Sequence, residues 1–244
     1  MSQNNQSPAS SLYDLESNKL EIVTTCVGFD DILDVTLENN HNHADTYIVV
    51  TSHEDAKTHA VCRKYGATCV QTDLFKKNNR KFNKGAAINA GFNYFQWHGW
   101  RLHMDSDIVL PDNFRRILFN HSHLDRNCLY GIDRVNVIGS DGLDKLTSNT
   151  QHKHRKLEVG NVDHRWLDEY DGYLPLGFFQ LYHSSCQKPY PFSLGDASHD
   201  DLMFSALWPK ENRRHLPSIV AYHLLTEPTH VGQNWEGRKT KRLK

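Results

Sequence analysis

The chain has 244 residues, a net charge of −1 and 38% hydrophobic residues, enough for one large α/β domain or two small ones with a real core. So balanced a charge gives no global field for a nucleic acid or a membrane surface, and no stretch approaches the length of a membrane span. Five scattered cysteines without a Cys-x-x-Cys pair argue against a disulfide framework and a structural zinc site; with no basic-then-apolar leader, they point to a cytoplasmic protein.

Residues 1–17 are polar and read as a disordered leader. "KLEIVTTCV" then reads as a buried strand ending at Gly28, and "DDILDVTLENN" has apolar residues at helical spacing. "DTYIVVTS" is a second strand. "EDAKTHAVCRKYG" is a second helix closed by Gly66, and "ATCVQT" a third strand. In "NKGAAINAGFNYFQWHGW" Asn83 caps a helix, Ile88, Phe92 and Phe95 share a face, and Gly99 ends it. "RLHMDSD" is a fourth strand. This alternation predicts a parallel sheet with right-handed crossovers, with ligands beyond the carboxyl ends of its strands.

The alternation stops after Asn136, where a polar stretch reads as an excursion or lid. "GYLPLGFFQLYHSS" and "SIVAYHLL" return to strand-like residues, with a helix at "SHDDLMFSALWP" stopped by Pro209. The expected organisation is one domain over 18–238, regular at 18–136 and irregular at 137–238, followed by a basic tail at 239–244.

Four stretches carry chemistry. Asp105 and Asp107 stand two apart at a strand end, so on extended chain they face one side and suit a hard divalent cation that also binds phosphate oxygens. Asp-x-Asp is common by chance, and its weight comes from its position after the strand–helix series. Lys84, Gly85, Ala86 and Ala87 open a helix whose free N–H groups attract phosphate, although an ordinary packing helix looks the same. In "ASHDDLMF" Ser198 reads as the N-cap with Asp201 as its capping-box partner, which frees Asp200 to point into a cleft as a general base. His223 ends an apolar strand and His230 follows a proline turn; each is a possible metal ligand, though such a histidine is more often structural.

In this order the stretches resemble GT-A glycosyltransferases, and more narrowly the inverting family 2 and galactosyltransferase-like members. "NKGAAINAGF" is similar to the helix before their metal strand, "HMDSDIVLP" to their Asp-x-Asp strand, "HDD" to their Glu-Asp-Asp segment, and "VAYHL" to the strand bearing a metal-binding histidine. The resemblance covers about residues 19–238 and implies an α/β, Rossmann-like, mostly parallel sheet flanked by helices, with a nucleotide-sugar half and an irregular acceptor half. It implies a metal-dependent transfer from a nucleotide-sugar, a UDP-sugar first, to an acceptor hydroxyl with inversion. The acceptor is left open among saccharide, protein, lipid and nucleic acid.

The residue roles it implies are Mn²⁺ or Mg²⁺ on Asp107 and His223, with Asp105 and His230 in reserve, and Asp200 as base, with Asp201 its alternative. Thr25, Thr51, Lys84, Asn89, Asp105 and Arg238 would hold the donor. After the second strand, where relatives place an acidic base-reading residue, this chain has Thr51 and Ser52, then Glu54 and Asp55. Five of the last seven residues are basic: Arg238 and Lys239 are expected over the diphosphate, and Lys241, Arg242 and Lys244 toward an anionic acceptor. The rivals are a sugar nucleotidyltransferase, which wants a glycine-rich loop after the first strand, and a non-catalytic nucleotide- or sugar-binding protein.

Overall fold

Four short strands make the first half of the sheet: β1 (Leu20–Thr25), β2 (Thr46–Thr51), β3 (Thr68–Gln71) and β4 (Trp100–Met104). The computed structural model describes residues 18–79, 82–120, 124–148, 172–192, 196–227 and 237–243. The four strands pair in parallel in the order β3-β2-β1-β4, joined by helices α1 (Asp30–Asn40), α2 (Ala56–Tyr65) and α3 (Lys84–Phe92). Alternation divides their side chains between two cores. Leu20, Ile22 and Val49 pack with Leu33 and Leu37 of α1, whereas Val23, Ile48 and Val50 pack with Ala87 and Ile88 of α3.

Local chemistry sets the helix ends. Asp55 caps α2 by accepting the Thr58 N–H at 3.2 Å, and Gly66, at φ 69°, closes it in the left-handed conformation that a Cβ disfavours. Asn83 caps α3 by accepting the Ala86 N–H at 3.2 Å. A Cβ at Gly91 would stand 2.6 Å from Val23 Cγ2, so glycine lets α3 lie close on the sheet.

The second half continues the same sheet. β5 (Ile108–Val109), β6 (Leu129–Ile138), β7 (Phe179–His183) and β8 (Arg213–Leu225) extend it to eight strands, β3-β2-β1-β4-β7-β6-β8-β5. β7 runs antiparallel to β4 and β6, and β8 runs parallel to β6 and antiparallel to β5. Helices α4 (Phe114–Asn120), α5 (Gly139–Ser148) and α6 (Ala197–Ser205) complete the α-helices among the described residues. Strand order reverses direction between β1 and β4, the switch point where open α/β sheets leave a crevice. No helix among the described residues is long and apolar enough to cross a membrane.

Three local expectations are corrected. α3 stops at Phe92 rather than Gly99, because the buried Glu21 carboxylate draws the chain into a turn, accepting the N–H groups of Gln96 (2.7 Å) and Trp97 (3.2 Å). Asp105 and Asp107 flank a turn beyond β4 and are not on extended chain. The cap of α6 is Asp196, which accepts from the Ser198 and His199 N–H groups, so neither Ser198 nor Asp201 has a capping role. β6 and α4 carry no periodic signal in the sequence reading. The leader at 1–17 and positions 149–161 of the polar excursion lie outside the described residues, whereas positions 139–148 of that excursion form α5.

Candidate active site

The Asp105–Asp107 turn is held from three directions. Thr36 of α1 donates its hydroxyl to the Ser106 carbonyl at 2.9 Å. Asn40, also on α1, donates to the Ile108 carbonyl at 2.7 Å and accepts the Leu110 N–H at 2.9 Å. Leu224 of β8 donates its N–H to the Asp107 carbonyl at 2.8 Å.

The two carboxylates turn to different partners. Asp107 Oδ2 lies 3.2 Å from His223 Nε2. Asn136 Oδ1 stands 2.9 Å from His223 Nδ1, and an amide oxygen only accepts, so Nδ1 carries the proton. In the neutral ring Nε2 then presents a lone pair to a carboxylate oxygen, an arrangement that needs a proton or a cation between them. One imidazole nitrogen and one carboxylate are donors that suit Mn²⁺ or Mg²⁺, which complete their coordination with water and substrate. Among the described residues no three His, Cys, Asp or Glu side chains are grouped so as to hold a metal ion, and Asp107 and His223 meet there as a pair. His230 lies outside the described residues.

Asp105 belongs to a second cluster centred on Lys84. The buried ammonium donates to Asp105 Oδ1 at 2.7 Å and to Asp201 Oδ2 at 2.8 Å. Burial alone would lower the lysine pKa, and the two carboxylates more than reverse that, so Lys84 stays charged. Asp201 fares differently, because it shares its cation with Asp105. Burial is the largest influence and raises its pKa to about 7, with Asp105 and Asp200 adding to the rise and Lys84 opposing it. Asp201 Oδ1 is buried without a hydrogen-bond partner among the described residues. Its carboxylate fills the place where a side chain on residue 177 would begin, so Gly177 makes room for it.

Asp200 is fully buried and accepts the Gly85 N–H at 3.0 Å, placing its charge at the positive end of α3. The free amides expected to meet phosphate at this helix start are therefore taken: Gly85 N–H by Asp200 and Ala86 N–H by Asn83. Lys84 likewise faces carboxylates.

Other expected donor residues are placed as follows. Thr25 and Thr51 are buried at the carboxyl ends of β1 and β2, and the Thr51 hydroxyl lies 3.4 Å from Asp55 Oδ2. Asp55 also accepts the Gly28 N–H at 2.7 Å, so its carboxylate is occupied within the protein. Asn89 spends both ends of its amide on the Tyr190 backbone, at 2.8 and 3.0 Å. Arg238 forms a two-pronged ion pair with Asp31, lies 4.6 Å over the Phe29 ring and donates to the Gly28 carbonyl. Burial pushes the Asp31 pKa up, and the bonds from Arg238 and the Leu243 N–H more than offset it. Arg242 pairs with Asp30, so the described tail, 237–243, docks on the start of α1, leaving neither arginine directed at a diphosphate or outer anion. Lys244 and the Asn-Trp segment at 234–235 lie outside the described residues.

Sequence reasoning missed Thr36, Asn40, Asn136 and Gly177, which act by holding the site residues. A polar residue anchoring a neighbouring loop has no spacing signature.

No protein-family model matches the chain, and no curated protein matches it by sequence. Solved structures do match. The chain is similar to mannosyl-3-phosphoglycerate synthase from Rubrobacter xylanophilus at TM-score 0.56 and 14% identity, over 92% of this chain and 71% of that one. It is similar to S. aureus TarS 1-349 at TM-score 0.55 and 12% identity, over 84% of this chain and 60% of that one. It is similar to glucosyl-3-phosphoglycerate synthase from Mycobacterium tuberculosis, solved with Mn²⁺, UDP-glucose and glycerol 3-phosphate, at TM-score 0.54 and 11% identity, over 96% of this chain and 82% of that one. The GT-A glycosyltransferase fold expected from the sequence is therefore the fold the chain has.

Proposed function

We propose that the protein is a metal-dependent glycosyltransferase that moves a sugar from a nucleotide-sugar, a UDP-sugar first, to an acceptor hydroxyl with inversion. The observation that carries this reading is the placement of two clusters, Asp107–His223 and Asp105–Lys84–Asp201, at one turn beyond the carboxyl end of β4. A GT-A fold with Mn²⁺ and a UDP-sugar in a similar structure supports the choice of donor and cation.

Asp107 and His223 would hold the divalent ion, oriented by Asn136, and the ion would supply positive charge to the departing diphosphate. Asp105 stands between this half-site and Lys84, where a donor ribose or sugar hydroxyl would meet it. Asp201 would accept the proton from the acceptor hydroxyl through its carboxylate, which Lys84 holds in place at Oδ2. A base titrating near neutrality is matched to that task. Asp200, tied to the Gly85 N–H, would hold α6 and α3 together, so of the two adjacent aspartates Asp201 is the proposed base. We place the reaction in the cytoplasm, where five free thiols persist.

One feature weighs against a nucleotidyltransferase: the loop after β1 has only Gly28 where a glycine-rich phosphate loop is wanted. The test is a panel of nucleotide-sugars with Mn²⁺, read by nucleoside diphosphate release and by the anomeric configuration of the product. Metal-dependent diphosphate release with an inverted product is expected. Pyrophosphate release from a nucleoside triphosphate, or binding without turnover, would replace this reading.

A further inference from the structure

Beneath the carboxylates lies a buried polar chain that the proposed chemistry does not use. His103 of β4, two residues before Asp105, is fully buried, and its Nδ1 lies 2.6 Å from the Tyr190 hydroxyl and 3.2 Å from Gln180 Oε1. The Tyr190 hydroxyl donates to Gln180 Oε1. Gln180 of β7, also fully buried, turns its Nε2 to the Asp201 carbonyl at 3.0 Å, the Ser205 hydroxyl at 2.8 Å and the Pro175 carbonyl at 3.1 Å.

Donor and acceptor counting gives the chain a direction. Tyr190 has one hydroxyl proton, and Gln180 Oε1 can only accept it. His103 Nδ1 must then be the N–H that donates to the tyrosine oxygen. The order is His103 to Tyr190 to Gln180 to the Asp201 carbonyl, from the strand that leads into Asp105 to the helix carrying the proposed base. Tyr190 is also fixed by packing: its ring stacks on Phe204 of α6 with centroids 4.0 Å apart, and both its backbone groups are bonded to Asn89 of α3. The phenol is kept protonated by burial first and then by the charges of Asp201, Asp105 and Asp200, and burial and Lys84 keep the imidazole neutral. The chain holds no net charge and leaves the balance of the Lys84 cluster alone. What it fixes is distance.

We propose that Tyr190 and Gln180 are positioning residues for glycosyl transfer, setting the place of Asp201 relative to Asp105 through the hydrogen-bonded chain from His103. This rests on the reading of Asp201 as base. Lys84 also bridges the two aspartates, through flexible methylenes; the buried chain connects the backbones that carry them, and displacement of a reacting group by about 1 Å costs on the order of 10²-fold.

The experiment compares Tyr190→Phe and Gln180→Met with wild type, Asp201→Asn and Val70→Ala, the last a core change on the distant β3 strand. With UDP-glucose and Mn²⁺, Tyr190→Phe is expected to lose about 10-fold to 10²-fold in kcat while the Kd for UDP with Mn²⁺, from calorimetry, stays within about twofold. Added to Asp201→Asn it should cost nothing further. A readout without turnover is the backbone carbonyl ¹³C resonance of Asp201, which should shift in both variants and stay in place in Val70→Ala. Wild-type kcat in both variants, or an unmoved Asp201 carbonyl, overturns the positioning role and leaves the glycosyltransferase reading standing. Full transfer by Asp201→Asn instead removes the base assignment, and the positioning role with it.

Discussion

Asp201 gives a prediction in which activity and stability move in opposite directions. Its folded pKa of about 7 stands above the ordinary 3.8, so the native state holds this proton more tightly than the unfolded chain. That contribution is fully present below pH 3.8 and is lost as pH rises toward and through about 7. At 1.36 kcal/mol for each pH unit the interval is worth on the order of a few kcal/mol, more than half of it lost between pH 5 and pH 8. Asparagine imitates the protonated acid, keeping an oxygen for Lys84 and carrying no charge into the buried site. Lys84 is not stranded by the exchange, because Asp105 remains at 2.7 Å. Asp201→Asn should therefore gain on the order of 2 kcal/mol over wild type between pH 5 and pH 8, while transfer falls by about 10²–10⁴-fold. Urea denaturation of both proteins at the two pH values measures the first, and kcat on the same preparations the second. An equal pH dependence in the two proteins would refute the claim that Asp201 is ionised at a cost in the native state. A variant that is destabilised and fully active in its folded fraction would show that the carboxylate serves Lys84 and not the reaction.

The remaining expectations address the metal half-site and the loops around it. Asp107→Asn should fold normally and lose Mn²⁺-dependent diphosphate release, as should wild type after chelation, with recovery on adding Mn²⁺ to wild type alone. Asn136→Ala removes the amide oxygen that faces His223 Nδ1 and should weaken Mn²⁺ binding by about 10- to 100-fold, measured by titration with nucleotide present. Gly177→Ala places a methyl group where the Asp201 carboxylate stands, and should depress kcat with UDP affinity preserved, as calorimetry would show. Arg238→Ala and Asp31→Asn should each lower stability by about 1–3 kcal/mol, with the double variant no worse than the single ones, as urea melts would report.

The first half of the fold was legible because each element has its own local cause. Strand β2 is built on the apolar run Tyr47–Val50 and β1 on Leu20, Ile22 and Val23, Gly66 stops α2 where a left-handed residue is needed, and Asn83 caps α3. α3 was misjudged at its other end, because the turn that ends it answers to Glu21, 75 residues away from Gln96. β6 escaped notice for a related reason. Its burial alternates only from Val135 to Ile138, and its partner β8 lies more than 80 residues on, as in the pair Val135 and Tyr222.

The site repeats this division. Asp105, Asp107, Asp200, Asp201 and His223 could be found by residue type and order, whereas their roles depend on contacts that spacing cannot carry. Adjacent helical residues diverge by about 100°, and for Asp200 and Asp201 both directions end at α3, one on the Gly85 amide and the other on the Lys84 ammonium. The same two carboxylates on an isolated helix are indistinguishable. Burial with one shared cation raises the pKa of Asp201 and leaves its Oδ1 without a hydrogen-bond partner among the described residues, while a backbone N–H holds Asp200 in place. The distinction between a base and a brace thus arises in the packing of α6 against α3, through Gly85 and Gly177, two residues that have no side chain to contribute.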